Sequence, residues 1–318
     1  IALSNKIRGS FSEPRIAYEH SPVNSQIGTI RAFEMIPYFS NRAVTEGLYL
    51  QSTIMSPVAF LMQALISNRP SCPFAQYECV PVNLDKAIII SKLLGVGVWI
   101  LSSDELIKKA LGMPTLKLIG SFGSWSLFTL AEQPKLVEIM SKNYIKIGDA
   151  SLLDKYSRFI PKRYSETEED LTKLISPFDW KNLFYAWLKN YKTEDPLLVY
   201  EIENKELWLS NESFEEKLNC NPSVDVQFDR IKLITDCPGK AHILKFAFNP
   251  ALKSSDGSNL FIVSPGFIGI VPNATDVTID FKGEDSWFIT GVLSFASWLV
   301  ILIIAISKFC ISIKHYFW

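Results

Sequence analysis

The spacing of apolar positions changes along this chain, and each change predicts a different element. Asp85 to Leu94 carries Ala87, Ile88, Leu93 and Leu94 at helical spacing, which predicts a helix with one buried face. Val96 to Leu101 follows as a short continuous apolar run, the signature of a buried strand. Ser102, Ser103 or Asp104 is placed to cap a helix over Glu105 to Leu111. Leu116 to Ile119 and Ser124 to Leu130 read as two strands joined by a hairpin at Phe122-Gly123. Further along, Leu183, Phe184, Trp187 and Leu188 form one apolar face of a helix starting at Pro177. Thr53 to Ser67 is apolar enough for a packed helix after Pro57 but too short and interrupted to cross a membrane.

After residue 197 the period shortens. Alternating runs at Leu197–Ile202, Val224–Phe228, Ile231–Thr235, His242–Phe248, Leu260–Val263, Phe267–Val271 and Val277–Phe281 are separated by turn residues. Such closely spaced short strands predict an antiparallel sandwich or jelly roll. The pattern then changes once more. Phe288 to Ser307 is twenty consecutive residues without a charge, and a helix of that length spans roughly 30 Å, the hydrocarbon thickness of a bilayer. Trp287 stands before it, and Tyr316, Phe317 and Trp318 stand beyond it, as an aromatic belt does. Lys308, Lys314 and His315 follow the run while Glu284 and Asp285 precede it, so the C-terminus is expected in the cytoplasm.

The expected fold class is therefore α+β. A mixed α/β outer domain covers 1–134 and a helical connector covers 135–196. A β-sandwich-like domain covers 197–284, a transmembrane helix 287–308 and a cytoplasmic tail 309–318. No signal-peptide pattern follows Ile1, so the chain is expected to be processed or to be part of a longer protein.

Composition narrows the function classes. The chain has 318 residues, 48% hydrophobic and 20% charged, with a net charge of −1. Nucleic acid is not an expected partner, because phosphate binding requires a basic excess. The cysteines agree with an outer location: Cys72, Cys79, Cys220 and Cys237 fall before the apolar run and Cys310 at its far end. Sequence order suggests Cys72–Cys79 and Cys220–Cys237, though four cysteines allow three pairings and free thiols are the alternative. Asn211-Glu-Ser213 and Asn273-Ala-Thr275 are glycan sequons.

Familiar catalytic motifs are missing. There is no phosphate-binding glycine loop, no HExxH and no GxSxG. His20, His242 and His315 are the only histidines, and the last lies across the predicted membrane, so no three-histidine zinc site is expected. Neither a metal nor a cofactor is implied. The densest polar and aromatic stretch is Arg15 to Gln51. Within it Arg31, Glu34, Arg42, Glu46, Tyr49 and Gln51 are the candidate substrate-binding residues. Carboxylates and amides accept and donate to sugar hydroxyls, rings cover sugar faces, and arginine pairs with phosphate. These residues are expected to converge on one cleft facing the membrane. Trp180, Tyr185 and Trp187 are further candidates for stacking on a sugar.

Several segments together resemble a known group. GTIRAFEMIPYFSNRAVTEGLYLQSTIMSP, then SCPF, LLGVGVWILSS and FGSWSLFTL, are similar to the outer region of large multi-pass bacterial and archaeal membrane proteins. Those proteins are labelled 6-pyruvoyl-tetrahydropterin synthase-related, and they resemble GT-C glycosyltransferases and YfhO-type membrane proteins. TDCPGKAHILKFAFNP and FIVSPGFIGIVPNATDVTIDF, followed by an apolar helix, extend the resemblance over roughly residues 15–310. It implies a C-terminal extracytoplasmic portion of a plasma-membrane glycosyltransferase acting on polyprenyl-phosphate-linked sugars and a glycan acceptor. The catalytic base would then lie outside this chain, in a first outer loop. The pterin part of the label gains no support from the histidines. Phe248-Asn249-Pro250-Ala251-Leu252 also departs from the aromatic-rich strand end of related chains. The alternative is a membrane-anchored module that binds glycans or proteins without catalysis.

Overall fold

The computed structural model describes residues 2–46, 54–140, 144–146, 177–200, 220–227 and 229–281, with residues 294, 295, 297 and 298. The chain divides into two units, Ile1–Asp280 and Phe281–Trp318. The first unit is α+β, with several largely antiparallel sheets.

Its first sheet is built from β1 (Arg15–Tyr18), β2 (Val96–Leu101), β3 (Leu116–Phe122) and β4 (Trp125–Leu130), in the order β1-β2-β4-β3. β1 and β2 run parallel, and the other pairs are antiparallel. Among the helices are α1 (Ala2–Lys6), α2 (Ile36–Ser40), α3 (Ser56–Leu65), α4 (Leu84–Leu94), α5 (Asp104–Leu111) and α6 (Pro177–Asn190). Helix α4 begins one residue before its predicted start because Asn83 caps it, accepting from Lys86 N at 3.0 Å. It stops at Gly95, which adopts φ 70° and returns its N–H to Ser91 O. β2 follows at once and is buried at every position, since it lies inside the sheet with both faces covered. Trp99 Nε1 donates to Ser91 Oγ at 2.9 Å, which locks strand to helix.

Residues alternate between two cores across this sheet. Ala17, Trp99, Leu101 and Phe128 face the main hydrophobic cluster. Ile16, Tyr18, Val98, Ile100 and Leu127 face a smaller one closed by Ile7, Phe33 and Ile36.

The second sheet takes β5 (Val137–Ile139), β6 (Tyr144–Lys146), β7 (Leu197–Tyr200), β10 (His242–Ala247), β12 (Leu260–Val263) and β13 (Phe267–Ile270). Its order is β5-β10-β13-β12-β7-β6. The third comprises β8 (Ser223–Val226), β9 (Arg230–Ile234), β11 (Leu252–Ser254) and β14 (Asp276–Phe281), in the order β11-β14-β9-β8. The main cluster runs without a break from Trp99 and α3 to Leu244, Ile268 and Ile279. The stretch predicted as a helical connector, 135–196, does contain α6, but it also supplies β5 and β6 to the second sheet. Three-residue strands are too short for a period of two to be read among their charged neighbours.

Among the described residues no helix is long and apolar enough to cross a membrane. The predicted span at 288–307 lies outside the described residues except for Ser294, Phe295, Ser297 and Trp298, which are helical and exposed. The 309–318 tail and Asn211 also lie outside them.

Candidate functional site

Backbone pairing explains how part of the predicted set comes together. Val44 forms a parallel bridge with Ile16, supported by Ile16 N to Ala43 O and Thr45 N to Ile16 O, each at 2.9 Å. Parallel pairing carried two residues further sets Glu46 beside Tyr18, whose hydroxyl donates to Glu46 Oε2 at 3.3 Å. Gln63, on α3, donates from Nε2 to Glu46 Oε1 at 2.6 Å. Its own Oε1 accepts from Ser71 N at 3.2 Å and Ser71 Oγ at 2.7 Å, which fixes the amide. Glu34 sits on a 3-10 turn (Ala32–Met35) whose Phe33 ring packs 5.5 Å from Tyr18. Arg31 grips Glu34 with two nitrogens, Nε to Oε1 and Nη2 to Oε2, the latter at 2.9 Å. Arg31, Glu34 and Glu46 therefore interact in one group with Tyr18 and Gln63.

The electrostatics of this group are unusual. Burial pushes the Glu46 carboxyl up to about 8, with the Glu34 charge adding to the effect against the opposing bonds from Gln63 and Tyr18. Burial, reinforced by Glu46, pushes the Tyr18 phenol far above its usual range. The bond to Glu34 raises Arg31. A carboxyl that keeps its proton near neutrality is able to donate it, and perturbed carboxyls of this kind mark candidate sites.

The other candidates fall elsewhere. Arg42 is buried against the N-terminal segment, donating to Pro14 O and lying 3.3 Å from Glu13 Oε2. Its charge is engaged there, so it is not free to meet a phosphate alongside Arg31. Tyr49 and Gln51 lie outside the described residues. Of the aromatic candidates, Tyr185 and Trp187 pack into the main core. Trp187 Nε1 donates to Pro196 O at 3.2 Å and Tyr185 stacks 4.7 Å from Tyr77, so neither presents a free face to a sugar. The side chain of Trp180 lies outside the description.

Sequence reasoning passed over a second constellation, where β1 and β2 end side by side. Glu19 follows β1 and is buried; it accepts from Ser102 N at 2.7 Å, Ser103 N at 2.9 Å and both serine hydroxyls. Its carboxylate thereby occupies the start of α5, where backbone donors and the helix dipole favour an anion. Beside it opens a cleft of about 350 Å³ lined by residues including His20, Pro22, Val23, Asn68, Arg69 and Ser103. No spacing in the sequence signals this group, because only the parallel pairing of β1 with β2 assembles it.

Cys72 is bonded to Cys79 and Cys220 to Cys237, with Cα separations of 5.6 and 6.0 Å. Among the described residues one grouping, Cys220, Asp236 and Cys237, is compact enough for a metal ion. Both its sulfurs are bonded to each other, which removes the thiolates a metal would need. In comparisons with known proteins, no family model, curated protein or solved structure matches the chain.

Proposed function

We propose that this chain is the extracytoplasmic portion of a GT-C-like membrane glycosyltransferase, engaging a polyprenyl-phosphate-linked sugar or its acceptor while the catalytic base lies elsewhere. The observation that carries this reading is the gathering of Arg31, Glu34 and Glu46 around Tyr18 and Gln63. A protonated carboxyl beside an arginine–carboxylate pair is suited to bind and orient hydroxyls. The uncharged run at 288–307 supports a membrane anchor, and the paired cysteines fit an oxidising exterior.

A binding module without catalysis is the second reading. The enclosure of Glu46 and Tyr18, 4% and 1% exposed, favours it, because buried groups support a surface site more readily than they meet substrate. The test is Glu46→Gln and Arg31→Ala in the full-length membrane protein, with glycan transfer and thermal stability measured together. The enzyme reading expects transfer to fall about 10- to 100-fold in Arg31→Ala, the loss of one charge-assisted bond, and to fall in Glu46→Gln, which has no acidic proton to donate, with stability nearly kept in both. Unchanged transfer in both variants retires it, and intact glycan binding without any transfer in the parent protein selects the module.

A further inference from the structure

The cleft beyond β1 and β2 is separate from the Glu46 group, and its chemistry differs. In sheets with parallel strands, ligands bind off the carboxyl ends of those strands, where the loops diverge. Here the two strands end at Tyr18 and Leu101, and the cleft opens at the residues that follow. Its volume of about 350 Å³ lies at the lower end for a small-molecule site.

Ser21 Oγ accepts from Val23 N and Asn68 Nδ2 donates to Glu105 Oε2, so the groups that decide the chemistry of the cleft are Glu19, His20 and Arg69. Glu19 is saturated by the donors of Ser102 and Ser103 and has little left to offer a ligand. His20 is anchored through its backbone, N to Ser67 Oγ at 2.9 Å, and through its ring, Nδ1 to Arg69 O at 2.8 Å. A carbonyl only accepts, so Nδ1 carries the hydrogen, and Nε2 of the neutral ring is left as an acceptor. Among the described residues neither that Nε2 nor the Arg69 guanidinium has a hydrogen-bond or ion-pair partner. Pro22 and Val23 supply an apolar wall. One acceptor on a half-buried ring, one exposed guanidinium without a protein partner among the described residues and a small apolar face suit a ligand with a hydroxyl and an anionic group.

We propose that this cleft binds a small hydroxyl-bearing anion, its anionic group paired with Arg69 and a hydroxyl donated to His20 Nε2. The anion is a phosphate ester or a carboxylate, a sugar phosphate or a sugar acid. The inference does not depend on the glycosyltransferase reading, because it concerns different residues and is read out by binding alone.

The experiment titrates the full chain, in detergent, with glucose 1-phosphate, glucuronate, glucose and inorganic phosphate, followed by calorimetry. Glucose 1-phosphate or glucuronate is expected to bind at least tenfold more tightly than glucose, and whichever of the two binds identifies the source of the anion. Arg69→Ala is expected to weaken binding about 10- to 100-fold, and Arg69→Lys to keep part of it. His20→Ala is expected to weaken binding of the hydroxylated anion while sparing inorganic phosphate. Lys253→Ala removes an exposed charge on β11 and serves as the control with binding intact. A thermal melt of each variant separates lost binding from lost folding. The proposal is overturned if no probe binds, if folded Arg69→Ala binds as the parent does, or if inorganic phosphate binds as tightly as glucose 1-phosphate.

Discussion

Arg15 donates from its guanidinium to the backbone carbonyl of Lys245, a bond that ties β1 of the first sheet to β10 of the second. Its other terminal nitrogen reaches Leu94 O at 2.8 Å, and the Lys245 ammonium reaches Lys92 O at 2.9 Å and Glu138 Oε1 at 2.7 Å. Two cations from different sheets thus close the C-terminal end of α4, where its unpaired carbonyls carry partial negative charge. Burial lowers Arg15 only to about 10, so it stays charged at neutral pH.

Removing Arg15 strands those carbonyls and opens space beside Phe246, over which the guanidinium lies at 5.1 Å. Arg15→Ala is expected to lower the unfolding free energy by about 2–4 kcal/mol, since two carbonyls lose a charged donor. Arg15→Met, which refills the space, is expected to lose distinctly less. Urea unfolding of the two variants checks this, and equal losses would assign the effect to charge alone.

The Glu46 group predicts a pH dependence. Its carboxyl titrates near 4.5 when unfolded and near 8 when folded. Between those values the folded state holds a proton that the unfolded chain has released, so this contribution is full below about 4.5 and lost as pH rises through 8. The slope approaches about 1.4 kcal/mol per pH unit. Glu46→Gln, which cannot ionise, is expected to flatten stability over that window and to be the more stable protein above it. A parallel slope in parent and variant would count against the buried, protonated Glu46.

His242 predicts the opposite sign on the acid side. Its Nδ1 donates to Lys240 O at 2.7 Å, so Nε2 accepts from Thr235 Oγ1 at 2.7 Å, and that oxygen in turn accepts from Cys237 N at 3.0 Å. Burial lowers the imidazole below its usual 6.5. Stability from the neutral ring is therefore full above about 6.5 and lost as pH falls through the lower folded value. Proton resonances of the ring should show it neutral at pH values where an exposed histidine is half charged. A normal titration would refute the buried, neutral ring.

Alkylation before and after reduction tests the cysteine pairs. Cys72, Cys79, Cys220 and Cys237 are expected to be protected until a reductant is added. Separate Cys→Ser pairs should lose on the order of 2 kcal/mol for the shorter loop and 3 kcal/mol for the longer one, in the chain-entropy estimate. Rapid labelling of all four in the unreduced folded protein would contradict the bonds.

What the sequence reveals depends on how local the signal is. Helix α4, with Asn83 before it and Gly95 after it, is readable from a dozen neighbouring residues. So is the Arg31–Glu34 pair, three residues apart on one turn. Glu46 joins them only because Val44 pairs with Ile16, and Gln63 only because α3 packs nearby; neither follows from spacing. Arg42 carries the chemistry of a phosphate ligand, yet the carbonyl of Pro14 captures it. His20 and Arg69 meet only because the segment after α3 folds back on the end of β1, through Ser67 Oγ and Arg69 O.

The order of strands in the second sheet has a consequence for its shape. β5 and β6 are its two edges, yet Met140, which extends β5 through a 2.8 Å bond to Ala241 O, is only four residues from Tyr144 at the start of β6. Four residues reach about 15 Å at most, whereas the edges of a flat six-stranded sheet lie about 24 Å apart. The sheet must therefore curl so that its edges come within about 15 Å of each other. β5 pairs with β10 and β6 with β7, so the two strands nearest in sequence hold opposite edges. Followed across the sheet through β10, β13, β12 and β7, the register arrives at β6 displaced by about ten residues from β5, a strong stagger of the kind curled sheets show. The two edge strands, Val137–Ile139 and Tyr144–Lys146, are thus drawn towards each other and do not stand at opposite ends of a flat sheet.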